Sequence, residues 1–138
     1  MFAEFELICH TQQEQGQPLT VTTLRKNYRG LLEAYFGPDM VFEENSDLEG
    51  LRIPHFYNAY YVYKYSTGIS AAIALSERVL NGGKKELEDY LGFLKSGGSQ
   101  FPIQTLKGAG VDMSTQEPVE AATKKFAALL DEFEKLNG

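Results

Sequence analysis

One cysteine, 2 histidines and a shortage of positive charge narrow what this 138-residue chain can do before any motif is sought. Cys9 stands alone, so no intramolecular disulfide can form, and no Cys-x-x-Cys pair offers a closed metal site. A reducing, cytoplasmic setting is expected. Only 13 basic residues oppose 19 acidic ones, and the basic ones scatter as pairs such as Arg25-Lys26, Lys84-Lys85 and Lys124-Lys125. Without a segregated basic patch, nucleic acid and acidic lipid surfaces are excluded as partners. No apolar run approaches bilayer length, so no membrane association is expected, and Glu4 and Glu6 stand where a signal peptide would carry its basic leader. Strand-like alternation is missing too, since pieces such as 19–21 and 40–42 are too short, and there is no internal repeat. What remains is one domain's worth of material, 43% apolar, with helical periodicity.

Phe2, Phe5, Ile8 and Cys9 lie on one helical stripe from Met1 to about Gln15, with no N-cap residue before them, which reads as a helix whose beginning lies upstream. Gly16 and Pro18 break the pattern. Thr20 is placed to cap a second helix carrying Leu24, Tyr28, Leu31, Leu32 and Tyr35, which Gly37-Pro38 ends. An acidic connector, 39–53, holds a helical turn over 48–51. From Pro54 an apolar run without turn residues predicts a long central helix to Leu80, closed by Asn81-Gly82-Gly83. A short helix over 84–95 and a loop at Gly97-Gly98-Ser99 follow. Ser114 and Glu117 fit a capping box for a last helix with Phe126, Leu129, Leu130, Phe133 and Leu136 on its apolar stripe, and Pro118 sits early enough to be tolerated. The fold class expected is all-α, a single helical domain over residues 1–138.

Five of the 8 tyrosines fall between 57 and 65, directly after His55. On a continuous helix Tyr57, Tyr61 and Tyr65 would form one row and Tyr60 and Tyr63 a second. The rings could pack a bundle core with their hydroxyls on carbonyls or water. Alternatively they line a wet cleft in which His55 and some of the tyrosines donate to a polar substrate. Gly68, inside the same helix, implies a close helix contact. Glu6, His10 and Glu14 share a row at four-residue spacing that permits metal ligation, but a solvated helix face explains them equally, and no metal site is expected. Gly97-Gly98-Ser99 lacks the strand and the Lys-Ser/Thr pair of a phosphate loop.

The run from Ile53-Pro54-His55-Phe56-Tyr57 to Gly68 resembles the carboxy-terminal signature of oligoendopeptidase F, in the thimet-like zinc oligopeptidase superfamily. Met1-Phe2-Ala3-Glu4-Phe5-Glu6, Leu19-Thr20 with Tyr28 and Tyr35-Phe36-Gly37, Leu94-Lys95-Ser96-Gly97-Gly98-Ser99 and Gly110-Val111-Asp112-Met113 resemble that family in the same order. The resemblance implies a helical bundle from the C-terminal part of a metallopeptidase catalytic domain. It also implies a zinc ion held by a His-Glu-x-x-His helix and a further glutamate, with the motif glutamate as general base. That motif is absent here, since His10 and His55 are the only histidines, so zinc is expected in the full-length enzyme and not on this chain. By the same resemblance His55 and Tyr57 assist catalysis and Tyr61 and Tyr65 bind substrate, with Tyr60 and Tyr63 as the competing register. Short peptides and the missing N-terminal catalytic lobe are the implied partners, and self-association through faces that lobe would cover is expected. The isolated chain is expected to be inactive. The alternative function is a non-catalytic helical module that binds peptides or a protein.

Overall fold

Seven α-helices and two short 3-10 turns, with no strand, make up the computed structural model, which describes residues 1–138. The chain divides into two compact units, 1–64 and 65–138. The all-α expectation holds, and no helix is long and apolar enough to cross a membrane.

The first unit is built on α1 (Phe2–Glu14), α2 (Val21–Phe36) and the short α3 (Glu49–Arg52). No side chain caps α1 at Met1. Its C-terminus closes as the sequence suggests. Gly16 takes φ 74 and donates to the Gln13 carbonyl, while the Gln17 N–H reaches back to Gln12, a left-handed cap that a residue with a Cβ adopts poorly. At the start of α2 the Thr20 hydroxyl accepts the Thr23 N–H at 3.2 Å, satisfying a donor that the helix cannot. The inward stripes of the two helices meet in a core of Phe5, Cys9, Tyr28, Leu31 and Leu32, with Phe56 packed against it. Tyr28 is completely buried; its hydroxyl donates to Glu49 at 2.8 Å, and burial, then this bond, push its phenol above the usual tyrosine range.

The acidic connector is more ordered than its composition implies. Buried Asp47 accepts Arg25 Nε at 2.9 Å and lies 3.7 Å from Arg29 Nε. The same two guanidinium groups donate to the carbonyls of Glu44 and Glu43. The expected turn at 48–51 is realised as a 3-10 turn, Ser46–Leu48, running into α3.

The second unit contains α4 (Tyr63–Asn81) from Tyr65 onward, α5 (Lys84–Lys95), α6 (Pro102–Gly108) and α7 (Glu117–Asn137). Its core is Ala71, Leu75, Ala109 and Val111, joined by Tyr90, Phe93 and Leu106. Helix α5 matches its expected bounds, and the Glu86 carboxylate accepts the Gly83 N–H at 2.8 Å at its start. Helix α6 was not expected. Pro102 opens it, and at its end Val111 N–H donates to Leu106 and Gly110 N–H to Lys107, with Gly110 at φ 84. This cap turns Val111 into the core beside Leu106.

Two expectations fail here. Ser114 does not cap α7; its hydroxyl and N–H both donate to Asp112 Oδ1, at 2.6 and 3.0 Å, and Gln116 stands at the N-cap with no side-chain bond. Gly68 makes no close contact, because a Cβ there would meet nothing within 4 Å. It borders an open apolar groove of about 590 Å³ with Ala72, Leu75, Val79, Phe93 and Leu106. The stripe of α7 is formed but uncovered, with Phe126, Phe133 and Leu136 exposed, while Lys125 pairs with Glu77 of α4 at 2.9 Å.

Asp112 supplies a pH test. Its carboxylate takes Lys107 Nζ at 2.7 Å as well as Ser114, and Lys107 first, then Ser114, lower it from the ordinary 3.8 to about 2. Because the folded value lies below the unfolded one, its stabilisation is present above pH 3.8 and disappears as pH falls toward 2. A carboxyl-carbon NMR titration is expected to give a midpoint near 2, moving up toward 3.8 in Ser114→Ala. An unmoved midpoint would remove the Ser114 hydroxyl from the cause and leave it to Lys107 and the Ser114 N–H.

Candidate functional site

Pro54 has no N–H to satisfy and a fixed φ, so it opens a helical turn readily, but that turn stops at Tyr57. Asn58 is extended, at φ −117 and ψ 106, Tyr60 is left-handed at φ 54, and α4 begins only at Tyr63. The long helix expected from Pro54 to Leu80 is therefore two pieces joined by a non-helical stretch, 58–62. With it goes the helical row Tyr57, Tyr61, Tyr65, since the intervening residues do not carry helical periodicity.

The physical reason for the break lies on α1. Glu6, 3% exposed, accepts the Tyr60 N–H at 2.7 Å, and the His10 ring stacks on the Tyr60 ring with centroids 4.3 Å apart. Phe56 packs edge-on against Phe5 at 5.2 Å, and Val62 is buried. Glu6 is thus not on a solvated face, as its row with His10 and Glu14 suggested; only Glu14 is exposed. The sequence carried a faint signal of this, an acid between Phe5 and Cys9 on the edge of the apolar stripe.

None of the five clustered tyrosines is core: they range from 38% exposed at Tyr61 to 78% at Tyr57. His55 is half-buried on the Pro54 turn, and its ring lies 5.7 Å from that of Tyr61, tilted by 33°. Lys64 Nζ sits 4.8 Å from the Tyr61 ring centre, within cation–π range. Tyr57 donates to the Leu51 carbonyl at 3.3 Å, a long bond on an exposed side chain. The structure thus brings His55, Tyr57 and Tyr61 onto one segment of the first unit, whereas Tyr65 lies on α4 where the second unit begins.

Beside this segment is a cavity of about 330 Å³ lined by Phe5, Glu6, Cys9, His10, Leu51 and Tyr57 among others. Burial pushes the Cys9 thiol up, which makes it a poor nucleophile and a poor metal ligand. Nowhere do three His, Cys, Asp or Glu side chains converge on a point that could hold a metal ion. Glu6 serves the Tyr60 amide and His10 the Tyr60 ring, so the residues present do not fit a zinc site. What the segment can supply is hydrogen-bond donors on an aromatic surface.

Residues 1–125 match peptidase family M3. The chain is 53% identical over 136 residues to oligopeptidase PepF of Bacillus subtilis (strain 168), covering 99% of this chain and 20% of that protein. It is 43% identical to an oligoendopeptidase F homolog of Borreliella burgdorferi, covering 99% of this chain and 23% of the relative. Among solved structures, oligoendopeptidase-F from Enterococcus faecium superposes with a TM-score of 0.90 at 44% identity, over 99% of this chain and 26% of that one. A putative peptidase from Chlamydophila abortus gives 0.86 at 43% identity, over 98% and 23%. The chain spans about a fifth of the length of the curated relatives it matches. The family match spans most of the chain and the superposition covers 99% of it, and the chain belongs to peptidase family M3.

Proposed function

We propose that this chain is the substrate-side, C-terminal part of the catalytic domain of an oligoendopeptidase F-like zinc endopeptidase that hydrolyses short peptides. The observation that carries this reading is the kinked segment itself. A histidine and several tyrosines stand outside both cores, on backbone that is fixed by Pro54 at one end and by Glu6 in the middle. Tyrosine hydroxyls and an imidazole N–H are the donors a peptide carbonyl and a developing oxyanion need. His55 and Tyr57 are assigned that role. Tyr57 would exchange its long bond to Leu51 for one to substrate, and Tyr61 and Tyr65 would bind the peptide around it.

No group on this chain is suited to hold the family's zinc, so hydrolysis is assigned to the longer protein and not to these 138 residues alone. The uncovered stripe of α7 and the groove beside Gly68 support a role for the remaining lobe as an intramolecular partner, and self-association of the chain without it.

The test is a chimera in which this chain replaces the matching fifth of the B. subtilis oligopeptidase, assayed on a quenched fluorescent peptide beside the isolated chain with added zinc. The chimera is expected to cleave and the isolated chain not to. Chelator-sensitive cleavage by the isolated chain would contradict the assignment of the metal site elsewhere. A folded chimera without turnover would contradict the function.

A further inference from the structure

We infer that Glu6 is a positioning residue: it holds Tyr60 in a left-handed conformation and thereby fixes how the tyrosine segment faces a bound peptide. Tyr60 is the one non-glycine residue with positive φ, at 54°. For a bulky side chain this region is sterically disfavoured, and it persists only where surrounding contacts over-determine it. Residues 58–62 contain no glycine or proline; the Tyr61 N–H closes a turn onto the Asn58 carbonyl at 3.1 Å with Tyr60 at its third position, and tertiary contacts have to hold a tyrosine there.

The contacts that supply it come from one face of α1. Glu6 and His10 are four residues apart and therefore stand one above the other. Glu6 Oε1 takes the Tyr60 N–H at 2.7 Å, and His10 takes the Tyr60 ring at 4.3 Å with planes 26° apart. One side chain thus holds the backbone and the other the ring of the same residue. The bond between a carboxylate and an amide is of the strong kind, and at 3% exposure little water competes for it. Conversely, a carboxyl group buried this far is costly unless it is hydrogen-bonded, so the pairing stabilises both partners. Val62, buried two residues on, anchors the exit into α4. Without the bond to Glu6 only the turn bond from the Tyr61 N–H to Asn58 keeps this stretch from winding into α4, and each added helical residue would rotate the side chains before it by about 100°. Tyr60 and Tyr61 would then present different faces. The conformational part of this inference stands alone, whereas its consequence for peptide binding rests on the function proposed above.

The experiment uses the 138-residue chain and a fluorescein-labelled octa-alanine peptide, which reports recognition of peptide backbone without side-chain preferences. Amide exchange is followed by NMR. In the unsubstituted chain the Tyr60 amide is expected to be protected although it lies outside any helix, and free exchange there would overturn the inference without any variant. Glu6→Met removes the acceptor at similar volume. It is expected to speed Tyr60 exchange about tenfold, the scale of one lost hydrogen bond, and to weaken peptide binding severalfold while α2 amides keep their protection. Glu6→Gln retains a carbonyl oxygen and is expected to restore most of both. Equal losses in the two variants, or unchanged peptide affinity once Tyr60 is released, would show Glu6 to be merely structural. If the unsubstituted chain bound no peptide, the inferred consequence for peptide binding would fall, while the Tyr60 amide would still decide the clamp and chimera turnover the proposed function.

Discussion

His55→Ala in the chimeric enzyme is expected to lower kcat about a hundredfold, as removal of one oxyanion donor does, with a much smaller change in KM. The imidazole stands on a turn whose first residue, Pro54, has its φ fixed by its own ring, so the backbone that carries it is set before substrate arrives, and its ring lies against Tyr61. A donor already in place costs no reorganisation as charge develops, which is why its loss falls on kcat. Its ring is also one wall for Tyr61, 5.7 Å away, so the alanine variant is expected to loosen a second donor. Stability is not the route. His55 is half-buried with its ring beside Tyr61, and losing such a contact is expected to cost about 1 kcal/mol, less than the roughly 2.7 kcal/mol that a hundredfold fall in kcat represents. The His55→Ala chimera should therefore remain folded at the assay temperature, which its melting curve checks. Tyr57→Phe, Tyr61→Phe and Tyr60→Phe, assayed beside it, separate the competing registers. A fall confined to Tyr60→Phe would move the catalytic assignment to the other pair. Unchanged turnover in His55→Ala would end the assignment of His55.

Where local chemistry decides the backbone, the sequence was readable. Thr20 before an apolar stripe and Gly37 after it bound α2, and the Gly82-Gly83 pair separates α4 from α5 as expected. Helix α6 escaped notice because seven residues show barely two turns of periodicity, and its Pro102 start and Gly110 end are separated by too little sequence to read as a pair. Ser114 and Glu117 made a plausible capping box, but Asp112, two residues away, competes for the Ser114 hydroxyl. The kink at Tyr60 was illegible for a different reason. No glycine or proline within 58–62 marks the turn that the Tyr61 N–H closes onto Asn58, and the acceptor of the Tyr60 amide lies 54 residues earlier in the chain. The donor types in the segment were legible, because a donor's identity is written in the sequence, but the direction of the segment is set by α1. The row of tyrosines inferred from helical spacing was therefore the wrong geometry drawn through chemically reasonable residues.

Tyr28→Ala is expected to destabilise the first unit by about 3–5 kcal/mol, the usual range for truncating a buried large aromatic ring to alanine. Tyr28 is the one large side chain with no exposure at all, and Phe5 meets it edge-on at 5.1 Å. Below the ring lies bare backbone. A Cβ at Gly50 would come within 2.6 Å of Tyr28 Cδ2 and 3.2 Å of Phe5 Cζ, so Gly50 has no side chain with which to fill the space that truncation leaves. The hydroxyl contributes less. Its partner Glu49 reaches solvent, so Tyr28→Phe is expected to cost about 1 kcal/mol, the net value of one hydrogen bond. A loss of 3–5 kcal/mol is comparable to the whole stability of a small domain, about 5 kcal/mol at the low end. Urea unfolding followed by circular dichroism should show the transition displaced or partly absent. Gly50 supplies the control. Gly50→Ala alone overpacks against Tyr28 and is expected to cost about 1–3 kcal/mol, but in the Tyr28→Ala background the same methyl occupies vacated space and the cost should largely vanish. Strictly additive effects would mean that the two residues do not share one packed volume. Coupling would tie the core to the site, because Phe5, which packs on Tyr28, also packs on Phe56 of the turn that presents His55.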